Sequence, residues 1–246
     1  MNDWFSRISN ISELSSGARR ELDENGFAVV PGPVPSGDME RLAAAYDAAV
    51  CSAQSDDRKT GVSSTRVTDL VNRGEGAFDA IYVYPQLLEA ASRVIGRAFK
   101  LSSMHARTLH SRSAPQELHI DFKSDEERFP LLGFVVMIDD FHADNGATRF
   151  VPGSHKRLDT PHDLTSVALA AYEDRAIKAC GRAGSMIVFN GSVWHGHAAN
   201  LTDVPRRSIQ GAFIPTEARS AVDFNSRMDA VTRSRISDLS KHLVGV

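Results

Sequence analysis

A histidine and an aspartate stand two positions apart in Gln116-Glu117-Leu118-His119-Ile120-Asp121-Phe122, a run that reads as a strand. Side chains two apart in an extended segment share a face. His119 and Asp121 can therefore offer an imidazole nitrogen and a carboxylate oxygen to one ion. A site needs a third donor, and the strongest source lies far along the chain in Val193-Trp194-His195-Gly196-His197. His195 and His197 again share a face, and either one completes the set. Two imidazoles and a carboxylate on one side of a metal leave the opposite positions open, an arrangement suited to non-haem Fe(II). A bare His-x-Asp also has a plainer explanation, a hydrogen-bonded pair on a surface strand, so its company decides.

That company is turn-rich. Asn145-Gly146 and Pro152-Gly153-Ser154 are tight-turn signals that frame a strand over Thr148–Val151. His155, inside a Gly-Ser-His-Lys turn, suits hydrogen bonding better than metal ligation. Downstream, Asn200 and the pair Arg206-Arg207 lead into an apolar strand. A guanidinium entering a strand beside a metal cavity can hold a carboxylate through its planar fork. One of the two arginines is expected to be an ordinary solvated turn residue. Gln116 can face the same cavity or solvent, and Arg107 and Thr108 can line it from the preceding strand. His105 and His110 read as scaffold, and Trp4, Phe5, Phe27 and Trp194 as packing residues.

These residues need rigid elements to hold them. Helical spacing and capping signals predict helices over Ser15–Asn25, from Ser36 to about Val50, and from Pro85 to Gly96. Phe27–Val30 reads as a strand between them. Residues 52–65 are polar and aperiodic, so a loop is expected there. From about Phe99 the texture changes to short strand-like runs: Lys100–Thr108, Gln116–Phe122, Leu131–Ile138, Thr148–Val151, Ser185–Phe189 and Ser208–Ile214. Strands at this spacing predict an antiparallel sandwich or barrel. An apolar stripe of Met228, Val231, Ile236, Leu239 and Leu243 predicts one amphipathic helix at the end, over Arg227–Leu243.

Composition narrows the function classes. The 246 residues are 42% hydrophobic and 24% charged, ordinary for a globular protein. A net charge of −3 gives no electrostatic reason to expect nucleic acid. No apolar run approaches the roughly 18 residues of a membrane span, and Met1–Phe5 lack the features of a secretory leader. Cys51 and Cys180, far apart, point to a reducing compartment and thus a cytoplasmic location. Nothing in the sequence indicates an oligomeric state.

Taken in order, His119-x-Asp121, the block from Asn145-Gly146-Ala147-Thr148 to Pro152-Gly153-Ser154-His155, and His195 with Asn200 and Arg206 resemble the phytanoyl-CoA dioxygenase family. That family belongs to the Fe(II)/2-oxoglutarate-dependent oxygenases, and the resemblance runs over roughly residues 20–215. It implies a mostly β fold with flanking helices and a double-stranded β-helix, jelly-roll or cupin-like, at its core. One domain over 1–246 is expected, with a mainly helical part (1–98), the β core (99–215) and a C-terminal helix (216–246). The resemblance implies His119, Asp121 and His195 as iron ligands. It selects His195 over His197 because His195 stands five positions before Asn200. It assigns Arg206, eleven positions beyond His195, to 2-oxoglutarate, with Gln116 and His197 beside that cosubstrate. The implied activity is hydroxylation of an unactivated C–H bond of a small molecule, using Fe(II), 2-oxoglutarate and O₂ and releasing succinate and CO₂. In related halogenases a small residue replaces the carboxylate, so Asp121 favours hydroxylation. The alternatives are a cupin-like metalloenzyme that does not use 2-oxoglutarate, and a non-catalytic binding protein on the same fold. Substrate selection is expected from residues 52–80 and 156–178.

Overall fold

Residues 4–121, 130–157 and 159–246 are described by the computed structural model. Ten strands form its framework: β1 (Phe27–Pro31), β2 (Arg58–Thr60), β3 (Ser64–Val67), β4 (Phe99–Leu109), β5 (Leu132–Met137), β6 (Thr148–Phe150), β7 (Ile177–Lys178), β8 (Ser185–Asn190), β9 (His195–His197) and β10 (Arg206–Pro215). Seven of them make one antiparallel sheet in the order β1-β8-β5-β10-β4-β3-β2, and three make a smaller one, β7-β6-β9. The sheets face each other as a double-stranded β-helix.

Alternation along each strand builds two cores from one sheet. On β5, Val135 and Met137 point inward, where they meet Ile187, Phe189, Phe150 and Phe141 between the sheets. Phe134 and Val136 point outward and are buried by helices. This explains why β5 is buried at every position rather than at alternate ones. The covering helices include α1 (Trp4–Ser9), α2 (Ser16–Asn25), α3 (Met39–Cys51), α4 (Asp79–Tyr82) and α5 (Pro85–Ile95). α5 carries Pro85 in its first turn and ends on Gly96 at φ 70°, as its sequence signals require.

α2 helps to place the site. Its C-terminal end docks on the β core: Asn190 donates to the Gly26 carbonyl, Gly153 to that of Asn25, and His155 Nε2 to that of Asp23. His155 is thus a hydrogen-bonding residue of the turn after β6, as its context predicts.

Several expectations are revised. Residues 52–65 are not simply a loop, because Arg58–Thr60 pairs with Ser64–Val67 as a hairpin that extends the sheet edge. The hairpin's outer strand is exposed on both faces at Lys59 and Thr60, so it carries no apolar alternation to read. After α6 (Ser166–Glu173) and α7 (Phe224–Arg227), the expected helix over Arg227–Leu243 is two short ones, α8 (Ala230–Arg235) and α9 (Asp238–Val244). Asp229 and Ser237 break it, each accepting a backbone N–H as an N-cap, from Thr232 and Ser240 respectively. Ser36 opens a 3₁₀ turn, and α3 begins at Met39. Gln116–Asp121 is extended but joins the sheet only through isolated backbone bonds, and Phe122 lies outside the described residues.

Candidate metal centre

The two halves of the sequence signal meet here through the backbone. His119 and His195 exchange two N–H···O=C bonds of 2.9 Å, forming an antiparallel bridge. Gln116 N donates to the His197 carbonyl at 3.0 Å, and Asp121 N to that of Gly191 at 3.0 Å. The segment 116–121 therefore lies along β9 and its approach turn. Gly196 permits this approach. A Cβ there would sit 2.9 Å from the carbonyl oxygens of both Gln116 and Glu117, closer than real contacts allow.

The side chains converge accordingly. One donor atom each from His119, Asp121 and His195 lies within 4.8 Å of the others. Asp121 Oδ1 is 3.4 Å from His195 Nε2 and 3.9 Å from His119 Nε2. Each imidazole donates its other nitrogen to a carbonyl two residues back: His119 Nδ1 to Glu117 at 3.0 Å, and His195 Nδ1 to Val193 at 2.8 Å. That bond fixes the tautomer and leaves Nε2 with its lone pair toward the cluster, as metal-binding histidines require. Phe150 stacks on the His195 ring at 5.7 Å and Phe189 tilts against it at 4.8 Å. The rings dry one side of the cluster and hold the imidazole still.

Electrostatics within the cluster are mutual. Burial opposes the charge on Asp121, yet the adjacent imidazoles outweigh it and hold the carboxyl below its usual range. Burial likewise works against a charged His195, and Asp121 outweighs it, so its pKa is raised. His119 is pushed down by burial and by His195.

His197 shares the inward face of β9 but stands outside the three-atom cluster. Its Nδ1 donates to the Ala198 carbonyl at 2.9 Å, and burial pushes its pKa down to about 4, so the ring is neutral. Gln116 lines the same cavity, with its side-chain oxygen 3.4 Å from Arg107 Nη2.

Neither arginine is the solvated turn residue expected of one of them: both lie in β10, Arg206 buried and Arg207 half-buried and ion-paired. Arg207 is held by Asp139 at 2.6 Å and Asp47 at 2.7 Å. Arg206 is only 1% exposed, its guanidinium 3.9 Å above the Phe141 ring, and its Nε and Nη1 have no hydrogen-bond partner. An unpaired buried guanidinium is costly, and burial lowers its pKa to about 9. The structure does not bring Arg206 into the cavity that contains the cluster, which has a volume of about 590 Å³. It borders a second cavity, beside Tyr46 and Thr108, yet its charge still reaches His197 and Arg107, which line the first.

Sequence reasoning missed Gly196 and Arg149. Arg149, opposite Gly196 in the β6–β9 register, donates to the Gln116 carbonyl at 3.0 Å and to Glu173 at 3.0 Å. It ties the 116–121 segment to α6. The glycine between the two histidines was the available signal, and nothing in the local sequence singled out Arg149. Trp194 is core, packed with Leu118, Val151 and the edge of Tyr172.

The model of the phytanoyl-CoA dioxygenase family matches residues 22–208, well over half of the chain. The chain belongs to this family. The family's members are Fe(II)- and 2-oxoglutarate-dependent oxygenases, and both the triad and the β-helix accord with membership. Among curated relatives, the dioxygenase cdmA of Talaromyces verruculosus is 38% identical over 79 residues, 32% of this chain and 25% of that protein. The dioxygenase trt7 of Aspergillus terreus (strain NIH 2624 / FGSC A1156) is 27% identical over 217 residues, 81% of this chain and 73% of that one. The chain thus spans a quarter of the first relative and about three quarters of the second. HygX of Streptomyces hygroscopicus, solved with nickel, 2-oxoglutarate and hygromycin B bound, superposes with a TM-score of 0.67 at 18% identity. That match covers 84% of this chain and 90% of HygX, and it shows a shared jelly-roll fold. Among the described residues no helix is long and apolar enough to cross a membrane.

Proposed function

We propose that this family member is an Fe(II)- and 2-oxoglutarate-dependent dioxygenase that hydroxylates an unactivated C–H bond of a small molecule, releasing succinate and CO₂. The observation that carries the reading is the His119–Asp121–His195 cluster, built across two paired segments inside a cavity. These three residues hold the iron. The donor set fits: two imidazoles presenting Nε2 and one ionised carboxylate, with room on the cavity side. Iron with 2-oxoglutarate and O₂ supplies the oxidant for the C–H bond.

The chain's own residues bind, orient and dry. Arg206 receives the far carboxylate of 2-oxoglutarate, an anion that would satisfy its orphaned Nε and Nη1. Gln116 and the neutral His197 border the cosubstrate as hydrogen-bonding groups. Phe150 and Phe189 shield the His195 side from water. The two exposed free thiols, Cys51 and Cys180, suit a cytoplasmic enzyme.

A second reading keeps the metal and drops the cosubstrate. It is favoured by the placement of Arg206 on the second cavity rather than on that of the cluster. Succinate formation separates the two. Incubation with Fe(II), 2-oxoglutarate and O₂ is expected to release succinate, and the His119→Ala and Asp121→Asn variants to release none. Iron-dependent chemistry without succinate would establish the second reading.

A further inference from the structure

Beyond the metal-binding side chains, the cavity around the cluster is lined by residues of β4 and β10, Ser103 and Ala212 among them, and by Ala221. Its volume of about 590 Å³ leaves space for a ligand beside the cluster. Three guanidiniums border the same cavity, from Arg66, Arg107 and Arg219. Asp121 is the only carboxylate lining it among the described residues.

Arg66 and Arg107 are direct cross-strand partners on β3 and β4. Like charges in that relation repel and destabilise a sheet, so their pairing calls for an anion between or above them. Neither forms an ion pair among the described residues. Arg107 is 8% exposed, its Nε has no partner, and its other nitrogens reach only the Gln210 and Gln116 side-chain oxygens, each at 3.4 Å. Burial and the neighbouring Arg66 work against its charge and together outweigh Asp121, which favours it. Arg219 approaches from a turn pinned to β4, where Ala221 N and Val222 N donate to the Ser102 hydroxyl and carbonyl at 3.0 Å. Loading the site does not neutralise this wall. Iron and Asp121 leave one positive charge, and dianionic 2-oxoglutarate is answered by that charge and Arg206. The three arginines remain in excess.

We propose that Arg66, Arg107 and Arg219 form an anion-recognition wall, so that the substrate carries a carboxylate or phosphate headgroup directed to them. This rests on the oxygenase reading above, because it names what enters the same cavity. Arg66 and Arg219 are specificity-determining residues, exposed and replaceable without disturbing the core.

The test uses four probes with one tail and different heads: octanoate, octyl phosphate, octanol and octylamine. Binding to the anaerobic Fe(II)·2-oxoglutarate complex is read by calorimetry and by melting temperature. An anionic head should bind at least about tenfold more tightly than octanol, the scale of a charge-assisted hydrogen bond. Preference for phosphate over carboxylate, or the reverse, identifies the headgroup. Arg66→Gln with Arg219→Gln should remove the preference while leaving 2-oxoglutarate affinity within about twofold. Equal binding of all four probes, binding of none, or tighter binding of octylamine would overturn the proposal. So would a double variant that weakens 2-oxoglutarate instead, since the arginines would then serve the cosubstrate. The melting shifts are also read without iron, so failure of the metal reading is seen separately.

Discussion

At the residue scale, the centre depends on how closely two backbones approach. Gly196 lies between His195 and His197, and the carbonyls of Gln116 and Glu117 occupy the space a methyl group would take. Gly196→Ala should push the 116–121 segment away and separate His119 from His195. Fe(II) affinity is expected to fall at least about tenfold, with a loss of about 1–3 kcal/mol in stability from the overpacking. Metal titration and thermal melting would check the two parts. Arg206 makes the opposite kind of prediction. Its buried, half-unsatisfied guanidinium burdens the fold unless an anion meets it. Arg206→Met should weaken 2-oxoglutarate binding about a hundredfold while leaving the melting temperature without 2-oxoglutarate unchanged or higher. A large loss of stability in that variant would mean that Arg206 is structural.

At the element scale, the helices hold the sheet that holds the ligands, and one carboxylate on α5 does much of this. Glu89, 4% exposed, accepts from the backbone of Glu13 at 2.6 Å and of Leu14 at 2.8 Å, and from Arg19 Nε at 2.7 Å. It joins α5 to the start of α2, whose other end docks beside β8 and the turn after β6. Glu89→Ala leaves two backbone donors unsatisfied and takes the carboxylate from Arg19, which keeps only the Ser12 hydroxyl, and is expected to cost about 3 kcal/mol. Calorimetry should show melting lowered by about 6–12 °C. The sequence made this scaffold only partly legible. α2, α5 and the buried strands announce themselves through caps and apolar runs. The β2–β3 hairpin does not, because an exposed edge strand has no face to bury. The C-terminal stripe is continuous in hydropathy yet broken in space, because Asp229 and Ser237 compete for helix N–H groups.

At the scale of the whole molecule, the site exists because the double-stranded β-helix folds the 116–121 segment back along β9. His119-x-Asp121 and the His195–His197 pair were legible as chemistry from residue type and spacing. Their meeting was not, since nothing local encodes which distant strand a segment will join. The choice of His195 over His197 rests on resemblance; among the described residues the group of close donor atoms is His119, Asp121 and His195. The location of Arg206 on the second cavity was beyond sequence altogether, being set by how β10 crosses β4 and β5.

The most direct test of the central claim is an anaerobic titration of the metal-free protein with Fe(II), followed by 2-oxoglutarate, observed by visible absorption. An iron site with open positions that takes up the keto acid should give a weak charge-transfer band requiring both additions. The band should be absent in His119→Ala and shifted to higher 2-oxoglutarate concentration in Arg206→Met. Iron binding with no spectral response to 2-oxoglutarate, or no iron binding at all with the three ligands intact, would contradict the account.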